Sequence, residues 1–133
     1  MSLFNVMNIA GSALTAQSAR LNAVASNLAN ADSMVGADGQ AYRAKQVQFR
    51  AMSVEGGGLG VRATEVVDSN APMRLVYEPG SPMANEQGFV TMPNVNPIEE
   101  MVNMISASRS YQNNVEVMTA AKALVQKTLA IGQ

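Results

Sequence analysis

The stretch from Pro97 to Gly132 constrains the fold more than any other feature, because no proline or glycine lies between these two residues. A continuous helix over this range would be roughly 50 Å long at 1.5 Å per residue. Asn96 can cap its first turn, and Pro97 suits the first helical position. Glu99 and Glu100 then place negative charge at the positive end of the helix dipole. A chain of 133 residues is too small to cover such a helix completely.

Along this predicted helix, positions that alternate by three and four form the seam of a coiled coil, the line of residues that would face a partner helix. An ordinary amphipathic core helix is the alternative, but the length argues against it. Seven of the nine seam positions are apolar, with Ser108 and Lys122 as the exceptions: Met101, Met104, Ser108, Tyr111, Val115, Met118, Lys122, Val125 and Leu129.

A second long helix is predicted over residues 2 to about 31. Its apolar seam also alternates by four and three: Leu3, Met7, Ala10, Leu14, Gln17, Leu21, Val24 and Leu28. The opposite face carries small uncharged polar side chains: Asn5, Asn8, Ser12, Thr15, Ser18, Asn22, Ser26 and Asn27. Such groups suit a surface that other protein covers, because they can hydrogen-bond without the cost of burying charge. The alternative is an alanine-rich helix that is only mildly polar.

The middle of the chain has strand-like runs punctuated by glycine and proline. The best predicted strand is 61–67, with weaker runs over 42–50 and 73–77 and a glycine break at 56–58. We therefore expect an α+β fold with an antiparallel coiled coil of the two terminal helices. The predicted divisions are an N-terminal axial helix (1–33), a small β-rich region (34–92), and a C-terminal axial helix with its lead-in turn (93–133).

Composition excludes several classes of function. The chain has no histidine and no cysteine, which removes Cys/His zinc sites, catalytic triads and thiolate chemistry. Glu99 and Glu100 are adjacent, so on a helix they diverge rather than form an acid/base pair. Net charge is −1, without the basic stripe that nucleic acid binding needs. We predict no catalytic residue, cofactor or metal, no nucleic acid partner and no stable membrane insertion.

Two runs of residues resemble a known family. Ala13–Ala31 resembles the N-terminal signature of bacterial flagellar rod and hook proteins, and Gly88–Ile105 with Arg109–Asn114 resembles their C-terminal signature. The chain length and the segment Tyr77–Asn85 are most similar to the proximal-rod members, because hook and distal-rod relatives insert larger central domains.

This resemblance implies a structural subunit rather than an enzyme. Members of the family are exported through the flagellar type III apparatus without a cleaved signal peptide. They polymerise helically in the periplasmic rod through their terminal helices, and the rod transmits torque from the membrane ring to the hook. The implied partners are further copies of the chain, the rod proteins FlgB, FlgF and FlgG, the FliE adaptor and the MS ring.

Five polar residues are candidates for the interface between subunits: Arg20, Asn27, Asn30, Arg109 and Asn114. Arg109 and Arg20 are each one positive charge within a helix face of low charge, so the hypothesis for both is an intersubunit salt bridge or a hydrogen bond to an amide. The main rival function is a soluble helical adaptor or chaperone of a type III export system, which predicts termini that are stably folded in the monomer. A carboxylate enzyme lacks converging acids, and a murein-cutting rod protein would need an added hydrolase domain.

Overall fold

The computed structural model describes residues 2–34 and 39–132. Its two helices are α1 (Leu3–Ala29) and α2 (Pro97–Ile131). Between them lie two antiparallel two-stranded sheets, one formed by β1 (Lys45–Ser53) and β2 (Leu59–Asp68) and the other by β3 (Arg74–Tyr77) and β4 (Phe89–Met92). The predicted α+β class, with terminal helices around a small β region, is confirmed.

Local sequence signals set the ends of both helices. The side chain of Ser2 accepts a hydrogen bond from the Asn5 amide and caps α1. Asn96 Oδ1 accepts from the Ile98 amide at 3.1 Å, with proline following in the first turn, as the sequence predicts. Gly132 is the C-cap of α2.

The two helices run antiparallel along each other. Asn27, near the end of α1, donates a hydrogen bond to Glu100 in the first turn of α2. Further along, a Cβ added to Gly11 would lie 3.5 Å from Met118 Cε. Among the helices and strands of the described residues, α2 packs only against α1. Since α1 is its packing partner among the described elements, one side of α2 is covered and the remainder faces outward.

A ribbon made of β1 and β2 lies along the other side of α1. At its turn, Asn5 Nδ2 donates to the carbonyl of Gly57 at 3.1 Å. Further along α1, Ser12 Oγ accepts a hydrogen bond from the backbone N–H of Val61 in β2 at 3.1 Å. The middle layer of the fold is therefore α1, with α2 on one side and the ribbon on the other.

A small buried cluster joins the base of the ribbon to the lead-in of α2. Ala31, Ala44 and Val95 are its buried members, with Tyr42 packed against them. Asn94 strengthens the junction, since its Oδ1 accepts from the Ala44 amide at 2.8 Å. The turn that leads into α2 is thus held against the β region.

Candidate assembly surface

The predicted seam of α1 lies on a covered side of the helix. Its eight positions are all buried or half-buried: Leu3, Met7, Ala10, Leu14, Gln17, Leu21, Val24 and Leu28. The face of α1 that packs in the structure is therefore the one that the apolar spacing indicates.

The covered side of α2 agrees with its predicted seam only in part. Met104, Ser108, Met118 and Val125 belong to both and are half-buried, whereas Tyr111 lies at the edge and is 37% exposed. Further covered positions are Glu100, Ala107, Asn114 and Ala121, each one residue earlier than a position of the predicted seam. Ala107 and Ala121 are the buried residues of α2. These small side chains let the helices approach closely. A seam predicted from the spacing of large apolar residues does not include them.

Three large apolar residues of the predicted α2 seam remain exposed: Met101, Val115 and Leu129. Their exposed surfaces are available for contact with another chain. Their role in assembly stays a prediction.

Asn27, one of the five polar interface candidates, is bonded within the chain instead. It is only 1% exposed. Its Oδ1 accepts from the Lys45 amide at 2.7 Å and from the Tyr42 hydroxyl at 2.9 Å. Its Nδ2 donates to the Lys45 carbonyl at 2.9 Å and to Glu100 Oε2 at 3.0 Å. Every polar atom of this side chain is satisfied without a second subunit.

Of the other four candidates, only Arg109 is exposed; it lies on the outer side of α2. The remaining three are part of hydrogen bonds inside the chain: Arg20 donates to Asn103 Oδ1 (3.2 Å), Asn30 to the Ser26 carbonyl (2.9 Å) and Asn114 to the Ser110 carbonyl (2.7 Å). Sequence reasoning missed Asn103 and Glu100 as bonding partners, because both acquire their roles only through the packing of α1 on α2.

The polar face predicted on α1 divides into two parts. Asn5, Ser12, Ser26 and Asn27 bond to the chain's own β region. The other part remains exposed and, with neighbouring apolar residues, forms a stripe without any charged side chain: Phe4, Asn8, Thr15, Ser18, Asn22, Ala25 and Ala29. Half of the predicted covered face is thus buried by the chain itself, and the outward half, named here the α1 stripe, is uncharged.

Within the described residues, no group of three or more His, Cys, Asp or Glu side chains comes together that could hold a metal ion. Neither helix, over the part of the chain that the structure describes, has the length and apolarity needed to cross a membrane. The notable surface of this molecule is the pair of helices, with the α1 stripe on one and exposed large apolar residues on the other.

Comparison with known proteins shows the family to which the chain belongs. Residues 86–131 match the family model of the flagellar basal body rod FlgEFG protein C-terminal region, and residues 7–37 match that of the flagella basal body rod protein. These matches define a component of the flagellar basal-body rod. The chain is 58% identical to the flagellar basal-body rod protein FlgC of Escherichia coli O6:H1, and 57% identical to that of Salmonella typhimurium LT2. It is 38% identical to the Bacillus subtilis 168 protein of the same name, and all three alignments cover 100% of both chains.

The chain belongs to the FlgC family of flagellar basal-body rod proteins. Its members are structural components of the rod and not enzymes. The resemblance seen in the two terminal signatures is therefore confirmed.

Proposed function

We propose that this protein is a structural subunit of the proximal rod that polymerises helically through its terminal helices, paired as an antiparallel coiled coil. In this proposal the polymer helps to transmit torque from the membrane ring to the hook. The observation that supports it is the outward surface of the helix pair, which combines the uncharged α1 stripe with exposed large apolar residues on α2.

The physical argument rests on the cost of leaving this surface in water. Burial of apolar surface contributes about 25 cal/mol per Å², so exposed Met101, Val115 and Leu129 favour contact with other chains. Helices that face bulk water usually carry charged pairs, yet charged residues make up only 14% of this chain. Two long helices packed side by side also form a stiff element, which suits the transmission of torque.

The family's place in the basal-body rod also supports a proposal on location and partners. We infer that the chain lies in the periplasmic rod and reaches it through the flagellar type III export apparatus without a cleaved signal peptide. Its neighbours are further copies of itself, the rod proteins FlgB, FlgF and FlgG, and the FliE adaptor near the MS ring. The family's place in the basal-body rod supports contact with other rod proteins.

Val115→Asp tests the proposal. Val115 is exposed in the single chain, so the substitution leaves the monomer fold intact but places an uncompensated charge in the proposed interface. In cells that lack the native gene, the variant is expected to be secreted but to give no rods in purified basal bodies and no swimming. Leu21→Asp should also block assembly, although Leu21 is half-buried against its own chain and the variant is less diagnostic.

The matched control is Val66→Asp, which makes the same change at an exposed position of β2, outside the helices. Cells with this variant should swim and build rods. Normal rods with Val115→Asp would show that the helix surface is not the assembly interface.

A further inference from the structure

Near its turn, the ribbon has a strand edge that points away from α1. In an antiparallel pair, alternate residues direct both backbone groups toward the partner strand, and the residues between them direct both outward. Val61 of β2 donates its N–H to Ser12, outside the ladder, so Val61 and its partner Ala51 on β1 are of the outward kind. Ser53, two residues after Ala51, has the same orientation. The backbone groups of Ala51 and Ser53 therefore point outward from β1, and they meet no partner within the described residues.

The second sheet also has an open edge, along β3. Just beyond the strands, the Glu78 N–H donates to the Gly88 carbonyl at 2.9 Å, so these two residues face each other. The alternation then turns the backbone groups of Tyr77 and Leu75 outward, where the described part of the chain gives them no partner. The side chains of Leu75 and Tyr77 are 61% and 64% exposed. β3 is thus an open strand edge that carries two large apolar side chains.

Polar groups of the same chain close parts of the other strand edges. Asn27 bonds to both backbone groups of Lys45 at the base of β1. On β4, the Phe89 N–H donates to Asn85 Oδ1 at 2.9 Å, and the Phe89 carbonyl accepts from the Asn85 N–H at 2.8 Å. On β2, a bulge at Thr64 interrupts the ladder. An open edge is a template for pairing with another chain, so the edges of β1 and β3 are the sites to consider.

We propose that, in the assembled rod, β3 of one copy adds to the β1 edge of the next copy as an antiparallel strand. The two small sheets then form one four-stranded sheet across the subunit boundary, in the order β2, β1, β3, β4. One copy offers β3 and the next offers β1, so the contact repeats without closing, as a helical polymer requires. This inference rests on the proposed function and adds a contact between the β regions. The added strand is short, so the contact forms only where the packed helices already hold neighbouring copies together.

Charge selects the register of the added strand. If Tyr77 of one copy lies opposite the small Ala51 of the next, Glu78 lies opposite Arg50. Arg50 is directly across the ribbon from Arg62, and like charges in that position are destabilising. Within the described residues, neither arginine has a carboxylate partner. A carboxylate supplied by the next copy would offset this repulsion, so the register with Glu78 opposite Arg50 is favoured.

Crosslinking in assembled rods tests the register, because the sequence contains no cysteine. Cells that lack the native gene would express Ala51→Cys and Tyr77→Cys chains together, so a disulfide between the two positions can join only different copies. In the proposed pair the Cα atoms are about 5.5 Å apart, within the range that a disulfide spans. Mild oxidation of purified basal bodies should give a disulfide-linked dimer of the chain. The same chains in the free state, and rods with either variant alone, should give none.

The matched control replaces Tyr77→Cys by Thr91→Cys. Thr91 is exposed on β4 opposite Leu75, so its side chain lies on the same face of the sheet. In the joined sheet it is two strands from β1, about 10 Å away at roughly 4.8 Å per strand, which is too far for a disulfide. Normal rods without the crosslink between positions 51 and 77, or equal crosslinking with Thr91→Cys, would overturn this contact and leave polymerisation through the helices standing. Normal rods with Val115→Asp would do the reverse.

Charge reversal tests the ion pair. Arg50→Glu and Glu78→Arg, each alone, place like charges opposite one another and should lower the yield of rods in purified basal bodies at least about fivefold. The double variant restores opposite charges and should recover to within about twofold of the original yield. Arg50→Glu also places opposite charges across the ribbon at Arg62, so the free chain should unfold at the same or a higher urea concentration, which separates lost assembly from lost folding. Single variants with normal yield, or a double variant without recovery, would refute the proposed register.

Discussion

The side-chain amide of Asn27 pairs with both backbone groups of Lys45 at the start of β1. The Lys45 amide donates to Asn27 Oδ1 at 2.7 Å, and Asn27 Nδ2 donates to the Lys45 carbonyl at 2.9 Å. One side chain of α1 thus takes the place of a neighbouring strand at the edge of the ribbon. Because the same amide bonds to Glu100 and Tyr42, it joins α1, the ribbon and the first turn of α2.

Asn27→Ala should lower the free energy of unfolding by about 2–4 kcal/mol. The substitution removes the part-buried hydrogen bonds that Asn27 makes to the Lys45 backbone and to the Glu100 carboxylate, and each lost bond costs about 1–3 kcal/mol where water cannot replace it. Urea unfolding followed by circular dichroism measures the change. Asn22→Ala is the control, since Asn22 is exposed on the same helix and its loss should change stability by no more than about 0.5 kcal/mol. Similar values for the two variants would refute the bridging role of Asn27.

Gly60 is expected to be required where the ribbon meets α1. A Cβ at this position would lie 2.7 Å from Ser12 Oγ and 2.9 Å from Val54 Cγ2. Gly60→Ala should therefore destabilise the protein by about 1–3 kcal/mol and displace the ribbon from the helix. Gly80→Ala provides the comparison, because a Cβ there meets nothing within 4 Å. Thermal unfolding of both variants decides the point, and a neutral Gly60→Ala would contradict the close approach of strand and helix.

Asn96 should contribute to stability through its side-chain oxygen. The bond from the Ile98 amide satisfies one of the free N–H groups at the start of α2. Asn96→Ala should cost about 1 kcal/mol, whereas Asn96→Ser keeps a capping oxygen and should lose less than half of that. Denaturant unfolding of the two variants separates capping from any other effect of the substitution, since equal losses would argue against the cap.

Those parts of the fold that depend on local chemistry could be predicted from the sequence. The start of α2 at Asn96-Pro97 follows from capping preferences, which act within one helical turn. The β-branched run around Val66 likewise lies in β2. The resemblance to rod proteins rests on the two terminal signatures, so it too needed no tertiary information.

Contacts between distant segments could not be predicted in the same way. The sequence shows small polar residues on α1, but only the structure shows that Ser12 meets Val61 and that Asn27 meets Lys45. On α2, the apolar spacing indicates that one face of the helix packs, but it does not fix which residues lie on that face. Ala107, for example, is buried although its side chain is small. The sequence therefore predicts that the helix pair forms the assembly surface, but it does not predict which residues of α2 belong to that surface.

Ala107 offers the sharpest test of which side of α2 faces α1. Its side chain is 0% exposed on the side of the helix that meets α1, so Ala107→Leu forces extra volume between two closely packed helices. We expect a loss of about 1–3 kcal/mol in the free energy of unfolding. The neighbouring Ser106→Leu adds comparable bulk at an exposed position and should leave stability within about 0.5 kcal/mol. If Ala107→Leu were neutral while Ser108→Leu destabilised the monomer, α2 would face α1 through the seam that the apolar spacing predicts, and not through Ala107 and Ala121.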